Sequence, residues 1–272
     1  MTDAPQQPPV LQNVHKTLPR FASLRTITAL VLREMSTTYG RSPGGYIWAV
    51  LEPALGLALL VALFSTGLRT PPLGTNFAIF YASGLMPFFT FLYVTNKVGQ
   101  SVNFSRQLLA YPRVTILDAV LARFILTVLT QYLVSYLLIA AILGTMETRT
   151  VLVLPALLSA FAMAGALGLG IGILNAVLVA YYPVWQMAWA VMTRPLILIS
   201  GVIFLHDRIP QPYRDWLWWN PLVHVTGRSR TGLYYSYRGE YVSEIYVYAV
   251  ALICGTIGLL FLRRYYRDSM ER

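Results

Sequence analysis

Apolar residues in this chain arrive in long blocks separated by short breaks of polar, Pro and Gly residues. A helix needs roughly 20 apolar residues to cross the hydrocarbon core of a bilayer. Six blocks meet that need: 46–67, 77–98, 115–144, 151–179, 184–205 and 245–262. Arg69-Thr70-Pro71-Pro72 closes the first block, and Pro87 predicts a kink in the second. No charge falls between Arg149 and Arg194, a stretch too long for one helix; Asn175 and Tyr181-Tyr182-Pro183 divide it. The expectation is an all-α integral membrane protein with six transmembrane helices.

The intervening segments have patterns of their own. Residues 1–20 are Pro-rich, read as a flexible tail, and show no cleavable signal peptide. Over 21–45, Phe21, Leu24, Ile27, Val31 and Met35 recur at threes and fours, with Arg25, Arg33 and Ser36 off the stripe. That pattern predicts an amphipathic helix on the membrane surface, followed by a turn; a helix packed on a partner's soluble domain is the competing reading. Residues 206–244 are rich in Trp and Tyr and broken by Pro210, Pro212 and Pro221, which predicts short interfacial or re-entrant helices before the last span. A basic tail, 263–272, ends the chain.

Composition agrees: 56% of the 272 residues are hydrophobic and only 12% charged, about half the charge of a soluble domain. The formal net charge is +10, from 21 Lys+Arg against 11 Asp+Glu. Placement explains it. Lys16, Arg20, Arg25, Arg33, Arg41, Lys97, Arg106, Arg113, Arg263, Arg264, Arg267 and Arg272 lie at the termini or in even-numbered loops, whereas the short odd loops hold only Arg69 and Arg149. Both termini are therefore expected in the cytoplasm, with 206–244 on the periplasmic side. The basicity reports orientation, and nucleic acid is not an expected partner. Cys254 stands alone in an apolar run, and the three histidines are scattered, so no metal site is indicated. Neither lysine follows a glycine, so the chain has no phosphate-binding loop of its own.

Few residues in the spans could carry chemistry. Arg194, about ten residues into the fifth block, looks the deepest charge. It either clamps helices, with Glu52 or a carbonyl as partner, or lines a path for an anionic substrate. Asp118 and Arg123 fall on different faces of one helix, suggesting interface or partner contacts rather than a proton relay. Gly165, Gly168 and Gly172 crowd the fourth block, and the last two form a GxxxG spacing that favours close helix packing, within or between subunits.

Four runs carry a resemblance: Leu32-Arg33-Glu34-Met35 leading through Tyr39-Gly40-Arg41-Ser42-Pro43 to Trp48 and Glu52-Pro53; Leu108–Thr115; Arg194–Phe204; and Trp219-Asn220-Pro221-Leu222. In order, over nearly the whole chain, they resemble the ABC-2-type polysaccharide export permeases, and most closely the capsular polysaccharide, KpsM-type, branch. The resemblance implies a transport subunit that is not itself an enzyme and that pairs with a second copy and with two ATPase subunits, which bind ATP and Mg. A helix at about 103–112 (Asn103, Leu108, Leu109, Tyr111, Pro112, then Arg113) would dock into the ATPase. The implied cargo is a lipid-linked, acidic polysaccharide crossing the bacterial inner membrane toward a periplasmic export partner. Arg194, Glu52, Trp48, Tyr93, Trp185 and Trp189 are candidates for its path; each aromatic also fits a packing or membrane-belt role. Rival readings are an ABC-2 exporter of another amphiphile (O-antigen, teichoic acid, another glycolipid or a drug), an ion-coupled carrier, and a membrane-embedded transferase.

Overall fold

A computed structural model describes residues 22–38, 44–67, 69–109 and 115–270. The described residues form ten α-helices and no strand: α1 (Ala22–Thr38), α2 (Gly45–Gly67), α3 (Phe77–Gly99), α4 (Ser101–Leu109), α5 (Ile116–Thr145), α6 (Leu154–Tyr181), α7 (Val184–Ile199), α8 (Tyr213–Trp218), α9 (Pro221–Leu233) and α10 (Glu244–Met270). A single 3₁₀ turn, His206–Arg208, precedes α8. Helix starts follow local chemistry. The Asn76 side chain accepts from Ala78 N at 2.8 Å to cap α3. Thr115 and Asp118 cap α5 reciprocally, each side chain accepting from the other's backbone N–H. Asn220 caps α9, with Pro221 at its first position.

Among the described residues, five helices are long and apolar enough to cross a membrane: α2, α3, α5, α6 and the first 21 residues of α10. The fifth expected span, 184–205, differs. α7 has 16 residues, about 24 Å at 1.5 Å per residue, and 200–205 leave the helix. Gly201 turns the chain with φ +71°, a conformation glycine adopts without penalty.

α3 is the most buried span and the centre of the bundle, packed by α6, α5, α9 and α2; α10 lies along α6. Two faces of α6 are cut back to glycine. A Cβ on Gly168 would sit 2.9 Å from Val94 Cβ, and one on Gly172 would sit 2.8 Å from Val98 Cβ, so these glycines set the approach of α3. On the other face, a Cβ on Gly170 would overlap Ala251 O of α10, while Gly258 of α10 meets Leu174 N. Gly165 has ordinary room, with Val128 3.6 Å from a would-be Cβ. Close contact supplies dispersion where lipid gives helices no hydrophobic reason to associate.

The segment before the last span holds two kinds of helix. α8 stays at the surface, with Trp216 and Trp219 exposed, but α9 is sunk against α3 and α6, and Leu222, Val223, Val225 and Leu233 are fully covered. α1 packs on α5 through Glu34, while Leu24 and Met35 of the expected apolar stripe face outward. Ile27 and Val31 of that stripe are half-buried and Phe21 lies outside the described residues; among the described α1 side chains the most buried is the Glu34 carboxylate, which an arginine of α5 meets.

Candidate functional site: a polar cleft and two buried arginines

The two ends of α3 carry different chemistry. Near its first turns lies Arg230 of α9, fully buried. Its guanidinium donates to Phe204 O at 2.9 Å and to Val202 O at 3.0 Å, and stacks 4.5 Å from the Phe80 ring centroid. Thr226 donates to Ser200 O at 2.9 Å and Asn220 Nδ2 to Ile199 O at 2.9 Å. Ile199 ends α7, Ser200 caps it, and Val202 and Phe204 lie in the irregular segment beyond, so these carbonyls fall at or past the end of the helical ladder. Buried backbone carbonyls need partners, and the α9 side chains of Thr226 and Arg230, with the N-cap Asn220, supply them here. Burial pushes the Arg230 pKa down from its ordinary value, and the surrounding tyrosines oppose that shift. Arginine still keeps its charge.

At the other end of α3, Arg123 of α5 is buried among four helices. Its Nε lies 3.0 Å from Glu34 Oε2 of α1, a terminal nitrogen donates to Lys97 O of α3 at 3.0 Å, and Cζ sits 4.0 Å over the Phe104 ring of α4. Asp118 caps its own helix. The pair suggested as interface or partner contacts is therefore used inside this chain.

Beside Glu34 opens a cleft of about 300 Å³, walled by α1, α2, α3 and α5. It brings together Trp48, Glu52 and Tyr93, three of the path candidates, and adds Glu34, Lys97, Thr127, Thr130 and Gln131. The other three candidates lie elsewhere. Arg194 is exposed on α7 and pairs with no carboxylate among the described residues, Glu52 included. Trp185 donates to Asn175 Oδ1 at 3.0 Å and Trp189 to Asn96 Oδ1 at 3.1 Å, pinning α7 to α6 and α3.

Of the docking segment, Asn103 is exposed on α4, and Leu108 and Leu109 form its last residues. Tyr111, Pro112 and Arg113 lie outside the described residues. Arg230 escaped the sequence reading. Its signals were faint: an Asn-Pro helix start, then Thr226 and Arg230 four apart on one face.

The described residues form an all-helical bundle in which five helices are long and apolar enough to cross a membrane, the architecture of a multi-pass membrane protein. The ABC-2 type transporter family model matches residues 25–234. The chain belongs to that family. It is 32% identical over 238 residues to the polysialic acid transport protein KpsM of Escherichia coli, covering 88% of this chain and 92% of that one. It is 23% identical over 245 residues to the capsule polysaccharide export inner-membrane protein CtrC of Neisseria meningitidis serogroup A, covering 89% and 91%. With the capsule polysaccharide export inner-membrane protein BexB of Haemophilus influenzae it shares 25% over 214 residues, covering 77% and 79%. The expected family and branch are borne out, as is a multi-pass inner-membrane transport protein.

Proposed function

We propose that this chain is the membrane subunit of an ATP-driven exporter that moves a lipid-linked, acidic capsular polysaccharide across the inner membrane. The observation that carries this reading is the similarity, over most of the chain, to proteins of polysialic acid and capsule polysaccharide export. ATP and Mg would be bound by a separate pair of ATPase subunits. Two copies of this chain would face one another, and the apolar surface left on α2 and α7 supports such pairing: Leu55, Leu59 and Leu63 of α2 and Met187 and Val191 of α7 are exposed.

In this reading α4 docks on the ATPase at the cytoplasmic side, with Asn103, Leu108, Leu109, Tyr111, Pro112 and Arg113 as its contact segment. Both termini lie in the cytoplasm, and α8 and α9 lie at the periplasmic side, where an export partner would meet them. Movement of α4 reaches the spans through Arg123, which touches α4, α3 and α1 at once. Rigid-body transmission of this kind needs stiff, packed contacts. Exposed on α7, Arg194 would guide phosphate or carboxylate along the path between the two copies.

Complementation tests the function. In a capsulated bacterium lacking its own permease, expression of this chain with its ATPase should restore surface polysaccharide. Polymer retained inside cells that express both proteins stably would overturn the reading.

A further inference from the structure

The cleft beside Glu34 has features that general packing does not require. Arg123 neutralises Glu34 on its wall at 3.0 Å. That leaves the Lys97 ammonium and the Glu52 carboxylate, neither within 4 Å of an opposite charge among the described residues. Lys97 is half-buried near the end of α3 and Glu52 is exposed in the first half of α2, so both are open to a polar headgroup entering the cleft. Trp48 stands near the start of α2 and Lys97 near the end of α3. The start of α2 and the end of α3 meet at the same cleft, so both residues face the same opening. Trp48 is 58% exposed, an aromatic residue open to a ligand beside polar walls. A volume of about 300 Å³ lies at the lower end of small-molecule sites.

We propose that this cleft binds a phosphorylated sugar at the head of a membrane lipid. Lys97 takes the phosphate. Glu52 and Gln131 accept and donate hydrogen bonds to ring hydroxyls, and Trp48 stacks on the ring face. A plain phospholipid would use the cation and leave the polar wall idle; a neutral sugar would leave Lys97 idle. Because Glu34 both walls the cleft and holds Arg123, an occupied cleft bears on the same contact that touches α4. The inference rests on reading the chain as a permease for a lipid-linked glycan, and it places the first sugar contact inside one chain.

Native mass spectrometry of the full-length chain in detergent tests it, with dioleoyl phosphatidylinositol as the phosphosugar-like probe and dioleoyl phosphatidylglycerol as the plain anionic lipid. Wild type should bind the inositol lipid about tenfold more tightly, the effect of one or two polar contacts. Lys97→Gln should weaken both lipids. Trp48→Ala and Glu52→Gln should bring the inositol lipid down to the level of the glycerol lipid, while Leu133→Ala, exposed on α5 outside the cleft, should change neither. Equal binding of the two lipids by wild type, or inositol-lipid binding untouched by all three cleft variants, overturns the proposal. Trp48→Ala alters an exposed ring, so the test survives if Lys97→Gln fails to fold. No ATPase or transport enters the measurement, so its failure leaves the permease reading standing, and failure of that reading appears in the complementation test instead.

Discussion

Arg123 Nε and Glu34 Oε2 lie 3.0 Å apart in a pocket that leaves the side chains only 5% and 10% exposed, although 89 positions separate them in the chain. The pair ties the surface helix α1 to the span α5. Removing one partner strands a buried charge, at a cost of about 3–5 kcal/mol. Arg123→Gln should therefore lower the thermal unfolding midpoint in detergent markedly, and Arg123→Gln with Glu34→Gln should recover part of the loss. Equal midpoints for wild type and Arg123→Gln would show that the pair does not hold α1.

Arg230 should be as sensitive, for a different reason. Arg230→Met keeps the apolar stem but frees the carbonyls of Val202 and Phe204, at about 1–3 kcal/mol for each buried group left unpaired. Hydrogen exchange should rise across 200–206 before it rises in α3. Unchanged exchange there would mean that the break in α7 is held by other contacts.

The glycines of α6 make a graded set. Gly170→Ala should destabilise by about 1–3 kcal/mol, the usual cost of overpacking, because even a methyl group meets Ala251 O. Gly165→Ala has room beside Val128 and should be neutral or slightly stabilising. Comparison of the two unfolding midpoints checks this; a reversed order would contradict the packing of α6 between α3 and α10.

A pH dependence follows from His224 of α9. Its Nε2 donates to Trp218 O at 2.8 Å, and its Nδ1 accepts from Ser243 N at 3.1 Å. The bond from Ser243 needs the neutral ring, and burial pushes the His224 pKa below the ordinary 6.5; nearby His206 adds to the shift, while the bond to Trp218 O opposes it. The unfolded chain therefore takes up a proton at 6.5 that the folded chain still refuses. Stability contributed by His224 is full above 6.5, falls as pH drops through that value, and levels off below the folded pKa. Unfolding midpoints at about pH 7.5 and about pH 5.5 should diverge more for wild type than for His224→Gln; equal divergence would remove His224 as the cause.

The spans were legible because long apolar blocks need no tertiary information: 46–67 and 77–98 match α2 and α3 to within a residue. The block 184–205 misled because Leu196–Ile199 and Val202–Phe204 read as one apolar run. What lets it break at Ser200-Gly201 is a side chain of Arg230, 28 positions past Val202, and hydropathy along the chain carries no trace of that partner. Depth counting along one helix likewise singled out Arg194, whereas burial is decided by which helix packs across. Trp48, Glu52 and Tyr93 could be picked as polar or aromatic groups near one end of their spans. Lys97, Gln131 and Glu34 joined them only once α1 and α5 had closed the cleft.

Affinity purification of the tagged chain from its native host membranes, followed by quantitative mass spectrometry, tests the account most directly. It predicts an ATP-binding-cassette ATPase in equal amount with the chain, and loss of that ATPase when Leu109 and Tyr111 are both changed to Asp while the chain itself stays in the membrane. A chain that purifies without any ATPase, or that keeps the ATPase in full after Leu109→Asp with Tyr111→Asp, would contradict it.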